Sequence, residues 1–360
     1  MNDVLLTVSG NIPADIEEQI AAGKRPLTDY IAMARTFKAD LIDYQKAQQQ
    51  SGRIGRLIQK IAGNNALLAW ACYKKRRQYR VIFTDGEQIA IPLALLLKFA
   101  SFGQRARHLA IGHILSVGKK MLFFDWLKIQ SHIDIFFVYA TWQKQFIQDR
   151  WHVPPERVVF TPFMVDDHFF SPEQAGETQP ALRASLDKQM PIICAVGLEF
   201  RDYPTLLKAV DGLNVHLVAA AASPWSKRAD TTADQTIPPN VTVQRFTQFE
   251  LRDLYDMSQF LVMPLYNVEF QAGVTALLEA MSMGKAVICS STPGQTDVVV
   301  ADETGIYVPP GNVQAMRQAI QHLLQHPELA QEMGRNGRSR IENYMSLTHY
   351  VERLNRYVNP

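Results

Sequence analysis

The sequence predicts an α/β protein made of two doubly wound, Rossmann-like domains, each with a parallel sheet. Three observations carry this. Short apolar strands alternate with amphipathic stretches along both halves, and parallel strands need such helical crossovers. At 360 residues, 47% hydrophobic and 20% charged, the chain is long enough for two cores. Its net charge of +2 also hides two halves of opposite sign. Residues 1–170 hold 22 Lys or Arg against 15 Asp or Glu, and the remainder hold 15 against 20.

In the first half the strands are expected in DVLLTVS (3–9), ADLIDY (39–44), RVIFTDG (80–86), ARHLAIGH (106–113), IDIFFVYA (133–140) and ERVVFTPF (156–163), with helices between them. From residue 190 the alternation is cleaner. PIICAVG (191–197) is followed by the helical YPTLLKAVDGL, the strand VHLVAAAAS, the helical ELRDLYDMS and the strand FLVMPLY. A helix over 274–283 and the strands AVICSS and GIYVPP complete the series. The polar, Pro- and Gly-containing residues 173–189 read as a linker between a domain of residues 1–172 and one of residues 190–344. The tail, residues 345–360, reads as helical. A ligand is expected beyond the carboxyl ends of the second set of strands, where the loops after Val196, Ala222, Leu265 and Ser291 converge.

Composition excludes several classes. The three cysteines, Cys72, Cys194 and Cys289, share no paired spacing, so neither a disulfide framework nor a zinc site is expected, and a reducing cytoplasm fits. The first residues carry acid rather than a basic start, which predicts no secretory signal. No apolar run approaches the roughly 20 residues that span a bilayer. The histidines show no metal-ligand spacing, and Asp-x-Asp, serine-hydrolase and phosphate-loop patterns are missing. No metal and no cofactor are therefore expected.

Residues 266–299 are the most informative stretch: a polar loop with Gly273, a helix bearing Glu279, a Gly-Lys turn, an apolar strand, then Pro-Gly-Gln-Thr-Asp. A helix that opens on a loop presents unpaired amides and the positive end of its dipole, which suits a diphosphate. Glu279 hangs from that helix as a hydroxyl acceptor. This segment resembles the donor motif of retaining glycosyltransferases of family four, which have the GT-B fold. The motif is written as two glutamates separated by seven residues. Here the second is Glu279, and the first position holds Gln271, neutral but able to donate and accept hydrogen bonds. Residues 150–172 and 195–210 resemble further pieces of that family.

The resemblance implies two domains facing across a cleft, a helical tail that crosses back to the first domain, and a set of roles. Glu279 would hold the ribose hydroxyls, and Gly197, Ala272, Gly273, Val274 and Thr275 would line the donor. Arg201 would stabilise the leaving diphosphate, with a surface arginine paired with Glu199 or Asp202 as the plain alternative. Gln271 and His113 would position the reacting sugar, His113 from the first domain, with a structural histidine after a strand as the plain alternative. Asp85 at a strand end and Lys119 in the loop that follows His113 are candidates for the acceptor side, a turn and a solvated lysine being the plain alternatives. Gln295 and Asp297 lie in a loop that approaches the donor site in relatives, and Lys285 reads as a solvated turn residue.

Residues 44–84 contain no acid but nine basic residues, among them Lys74, Lys75, Arg76 and Arg77, interleaved with apolar and aromatic side chains. Such a mixture suits an anionic membrane surface, a solvated helix rim being the alternative, and no nucleic-acid motif accompanies it. The expected function is transfer of a hexose from a nucleoside diphosphate sugar to an acceptor hydroxyl by a cytoplasmic enzyme, peripheral on the inner face of the membrane. The rival is a non-catalytic sugar-nucleotide-binding or docking protein, because the first motif glutamate is Gln271. A sugar-nucleotide epimerase fits the loop less well.

Overall fold

The computed structural model describes residues 2–100, 105–116, 118–175, 180–186, 189–220 and 237–360. The loop expected after Ala222 and linker residues 176–179 and 187–188 lie outside the described residues. The chain forms two compact units. The first comprises Met1–Glu17, Thr28–Pro162 and Tyr350–Pro360, the second Glu18–Leu27 and Phe163–His349.

The first unit holds a six-stranded sheet of β1 (Val4–Thr7), β2 (Ala39–Ile42), β3 (Val81–Asp85), β4 (Arg107–Gly112), β5 (Ile135–Val138) and β6 (Val158–Phe160) in the order β2-β1-β3-β4-β5-β6. All six strands fall where the sequence puts them, and every ladder is parallel. The strand order reverses between β1 and β3, which opens a crevice at their carboxyl ends.

The second unit repeats the architecture with β7 (Ile192–Val196), β8 (His216–Ala220), β9 (Val241–Val243), β10 (Phe260–Met263), β11 (Ala286–Ser290) and β12 (Gly305–Val308), ordered β12-β11-β10-β7-β8-β9. Its reversal lies between β7 and β10. The edge strand β9 was not expected, because three residues with a central threonine carry too little apolar signal. Strand β7 is buried along its whole length, since both faces of the sheet are covered. Cys194 and Val196 pack into one core layer while Ile193 and Ala195 pack into the other, the two-residue period of a strand.

The tail follows its expected course. Helix Leu347–Val358 belongs to the first unit from Tyr350 onward. There Tyr350 and Tyr139 share a hydrogen bond of 2.9 Å, Arg80 Nη1 donates to the Val358 carbonyl at 2.9 Å, and Arg107 Nη1 donates to that of Tyr357 at 3.2 Å. The three cysteines are buried and unpaired, and burial pushes each thiol up to about 12.

Helix Pro327–Arg340 lies so close to the turn before β11 that Gly334 meets the backbone there. A Cβ at Gly334 would sit 2.0 Å from the carbonyl oxygen of Gly284. In an open helix, Gly→Ala stabilises by about 1 kcal/mol. Here the sign reverses: Gly334→Ala is expected to lower the urea midpoint of unfolding, whereas a gain in stability would show that this close approach is absent.

Candidate functional site

At the reversal point of the second sheet, the loop after β7 folds back over the loop after β10. The Asp202 amide donates to the Pro264 carbonyl at 3.0 Å, and the Tyr266 amide to that of Phe200 at 3.0 Å. Phe200 pays for this closure with a left-handed φ of 58°. The turn carries Arg201 inward. Its Nε donates to the Val196 carbonyl at 3.0 Å and its Nη1 to that of Glu199 at 2.7 Å. The guanidinium lies between two glycines. A Cβ at Gly197 (φ 96°) would be 2.5 Å from Nη2, and one at Gly273 (φ 76°) would be 3.1 Å from Cζ. Only residues without side chains allow that approach.

Arg201 is therefore not the surface ion pair of the plain alternative. It is buried, and no carboxylate lies within ion-pair distance among the described residues. Asp202 is occupied as the cap of helix Tyr203–Val210, accepting from the amide and hydroxyl of Thr205 at 3.2 and 2.7 Å. Burial pulls the guanidinium pKa down. A cation whose partners are carbonyl oxygens keeps its full charge available for an anion.

Beside it begins helix Val274–Ser282, with Gly273 at its N-cap and no side chain capping it. The first intrahelical bond runs from the Leu277 amide to the Gly273 carbonyl, so the amides of Val274, Thr275 and Ala276 have no intrahelical acceptor. The preceding residues are braced from the loop after β11. Gln295, fully buried, donates from Nε2 to the Ala272 carbonyl, and Gly294 approaches the Phe270 carbonyl so closely that a Cβ would sit 2.2 Å from it. Gln271 follows in this braced turn, and both of its amide atoms are buried without a hydrogen-bond partner among the described residues. Each such group costs about 1–3 kcal/mol until something pairs with it.

Glu279 sits two turns into the helix and is 5% exposed. Its Oε2 accepts from the Tyr255 hydroxyl at 2.7 Å, and its other oxygen has no donor among the described residues. Burial raises its carboxyl to about 7 against the opposing effect of the Tyr255 bond. Tyr255 was not foreseen, because in ELRDLYDMS it reads as one more core aromatic. Lys285 corrects the sequence reading: it is half-buried, with Nζ donating to the Asp256 carbonyl at 2.8 Å, and burial lowers its pKa. Asp297 offers its carbonyl to Arg340 Nη2 at 2.8 Å and braces the loop.

The first unit has its own polar cluster at the carboxyl ends of β1, β3, β4 and β5. His113 Nε2 lies 3.1 Å from Asp85 Oδ1, and the His113 amide donates to Glu87 Oε2 at 2.9 Å. The Asp85 amide in turn donates to Thr7 Oγ1 at 3.1 Å. Glu87 is held by Lys120 Nζ at 2.5 Å, while Lys119 points to solvent, so the neighbouring lysine is the one the cluster uses. The His113 ring packs 5.3 Å from that of Tyr139. Asp29, the first residue of helix Asp29–Phe37, joins the group. Burial and the charge of Asp85 push its carboxyl to about 7. No motif surrounds Asp29, so only the fold reveals it. The Lys74–Arg77 run is tied to the protein: Lys74 Nζ donates to the Gln50 carbonyl at 3.2 Å and Arg76 stacks 4.0 Å from the Tyr73 ring centre.

Two titrations follow. The Glu279 carboxyl, near 7 folded and 4.5 unfolded, contributes fully below pH 4.5, and that contribution is lost as pH rises through 7, on the order of 3 kcal/mol. Glu279→Gln keeps an acceptor for Tyr255 and is expected to flatten this fall in urea unfolding measured across the same pH range. An unchanged slope would move the titration elsewhere. For His113, burial opposes the charged form, but the Asp85 bond and the charges of Asp85, Glu87 and Asp29 outweigh it and raise the imidazole above its ordinary value. The resulting stabilisation is present below the unfolded value and lost as pH rises through the folded one. Asp85→Asn should lower the His113 midpoint in an NMR ring-proton titration, and a midpoint that stays put would show that the contact does not operate in solution.

Comparison with known proteins agrees with this geometry. Residues 185–340 match the family model described as glycosyl transferases group 1. The D-rhamnosyltransferase WbpZ of Pseudomonas aeruginosa is 29% identical over 171 residues, 47% of this chain and 45% of that protein, so the match spans less than half of the relative's length. Among solved structures, sucrose-phosphate synthase from Thermosynechococcus elongatus superposes with a TM-score of 0.75 at 16% identity, covering 99% of this chain and 98% of that one. Anabaena Alr3699/HepE in complex with UDP-glucose gives 0.69 at 11% identity, with 99% and 98% covered. The fold is GT-B, and residues 185–340, which contain the buried arginine, the uncapped helix and Glu279, are the part of the chain that matches the glycosyl transferases group 1 model.

Proposed function

We propose that the protein is a retaining glycosyltransferase that moves a hexose from a nucleoside diphosphate sugar to an acceptor hydroxyl. The observation that carries this reading is Arg201, a buried guanidinium whose partners among the described residues are backbone carbonyls, set beside the uncapped start of helix Val274–Ser282. Both features favour an anion of two phosphates. A relative named a D-rhamnosyltransferase and a structural neighbour in complex with UDP-glucose support a sugar-nucleotide donor.

In this scheme the acceptor oxygen bonds to the anomeric carbon while the bond from that carbon to the phosphate oxygen breaks. The nucleoside diphosphate leaves with the electron pair, and the acceptor proton passes to the departing phosphate oxygen on the same face. Arg201 and the amides of Val274 and Thr275 stabilise the charge that develops on the diphosphate, without a metal. Gln271 fills its unpaired amide with sugar hydroxyls. The free oxygen of Glu279 takes ribose, whose hydroxyls favour the ionised carboxylate. His113 and Asp85 of the first unit serve hydroxyl recognition. We further propose that the protein works in the cytoplasm, peripheral on an anionic membrane surface, a contact supported by the acid-free basic residues 44–84.

The test is turnover on a panel of sugar nucleotides. Arg201→Ala is expected to lower kcat about 100-fold or more with a smaller change in donor affinity, because its contact strengthens as the bond breaks, and Arg201→Lys should recover only part. Gln271→Ala should lower turnover, whereas Gln271→Glu should be tolerated or change the preferred sugar. Wild-type rates in folded Arg201→Ala would overturn the assignment, and sugar-nucleotide binding without any transfer would favour a non-catalytic binding protein.

A further inference from the structure

Helix Gly52–Lys75 is bent at Gly63, whose φ of 82° and ψ of −177° no other residue adopts easily. Beyond the bend, residues from Leu67 to Tyr73 pack into the core. Before it, Ile54, Leu57 and Ile61 are 60%, 58% and 76% exposed. Their spacing of three and four residues puts them on one face of the helix. Arg53, Arg56 and Lys60, also exposed, alternate with them.

Two further helices continue this pattern. Phe99, near the end of helix Glu87–Ala100, is 60% exposed; Leu122 in helix Gly118–Asp125 is 54% exposed, and Trp126 just beyond it is 80% exposed. The connections β2 to β3, β3 to β4 and β4 to β5 all step the same way across the sheet, so right-handed crossovers place their three helices on one face of it. The helices of that layer and their ends thus carry six exposed large apolar side chains, of ten among the described residues. The charge is as one-sided. Residues 44–125 hold fourteen Lys or Arg and three acids, Asp85 and Glu87 engaged at the strand ends and Asp125 paired with Arg150.

We propose that this helical layer is the lipid-binding face of the protein, with Ile54, Leu57, Ile61 and Trp126 entering the acyl boundary of an anionic membrane and the basic residues meeting its headgroups. The proposal rests on the membrane contact stated above but replaces the Lys74–Arg77 run as its anchor. Apolar insertion plus headgroup attraction is what holds an amphipathic helix on a membrane surface. A second copy of the chain would bring two strongly positive faces together, which opposes self-association. Nucleic acid would use the charge but gain little from exposed isoleucine and leucine, since it rewards stacking rings. The amino-terminal half of helix Gly52–Lys75 follows the carboxyl end of β2, so insertion there brings lipid to the sheet edge that bears His113 and Asp85.

The experiment uses the full chain with vesicles of phosphatidylcholine alone or mixed with phosphatidylglycerol, read by co-sedimentation and tryptophan fluorescence. Binding to the anionic vesicles with a blue shift is expected, and Trp126→Phe should remove most of the shift while binding persists. Joint replacement of Ile54, Leu57 and Ile61 by serine should weaken binding about tenfold or more, given the area lost, with thermal unfolding unchanged. If the serine variant binds as tightly as the parent, the apolar face is not inserted and this proposal falls; loss on reversing Lys74–Arg77 would then leave the simpler charge contact standing. Absence of binding to either vesicle overturns both membrane readings and leaves the glycosyl-transfer reading to its own assay. A dimer dissociated by the same serine substitutions, without vesicle binding, would assign the face to self-association and overturn the proposal.

Discussion

The second unit is organised around the burial of one positive charge. Arg201 is taken out of water by a turn that leaves it only carbonyl oxygens to bond, and everything close to it is arranged to permit this. Two glycines with left-handed φ values make room for the guanidinium, and a helix starts against it with free amides. Asp202, the nearest carboxylate in sequence, is turned away to cap the next helix. A desolvated cation without a counter-charge costs several kcal/mol unless an anion arrives to share the site. The unpaired amide of Gln271 adds to that cost in the same place. Local energy is thus concentrated where the two strand ends part, and a bound anion with hydroxyl groups releases it.

The first unit solves a related problem differently. Its polar cluster is internally paired, with Asp85 on His113 and Glu87 bridging the His113 amide and Lys120. Charges there neutralise one another before any ligand comes, and the carboxyl of Asp29 is pushed toward its protonated form. Such a cluster is suited to reading neutral hydroxyl groups rather than attracting phosphate. The two units therefore treat their charges in opposite ways, on sheets of the same parallel kind.

Most strands were legible because they are short apolar runs between polar segments; the inner ones are buried on both faces, while the edge strands β2, β6 and β12 are buried only in part. Only β9 escaped, at an edge where burial is partial. The loop-helix-strand unit around Glu279 was legible because it carries chemistry in consecutive residues. What sequence could not convey was pairing across long separations. Tyr255 meets Glu279, Gln295 braces Ala272, and Asp29 joins Asp85 and His113 only once crossovers have stacked the strands. The same limit explains Lys285 and Lys119. A Gly-Lys turn looks solvated until its partner carbonyl on another helix is seen, and two adjacent lysines are indistinguishable until one of them finds a buried glutamate. The exposure of Ile54, Leu57 and Ile61 was hidden for a related reason, since their periodicity matches that of a helix packed on the sheet, and only the bend at Gly63 separates the two halves.

The placement of the cysteines gives each unit a native chemical clock. Cys72 lies in the core of the first unit, and Cys194 and Cys289 in that of the second. With thiols held near 12 and shielded from solvent, none reacts in the closed state, because alkylating reagents need an exposed thiolate. Modification can proceed only through opening of the surrounding core. Peptide mapping after a timed pulse of alkylating reagent would therefore resolve the breathing of one unit from that of the other in a single unmodified chain, with no probe introduced.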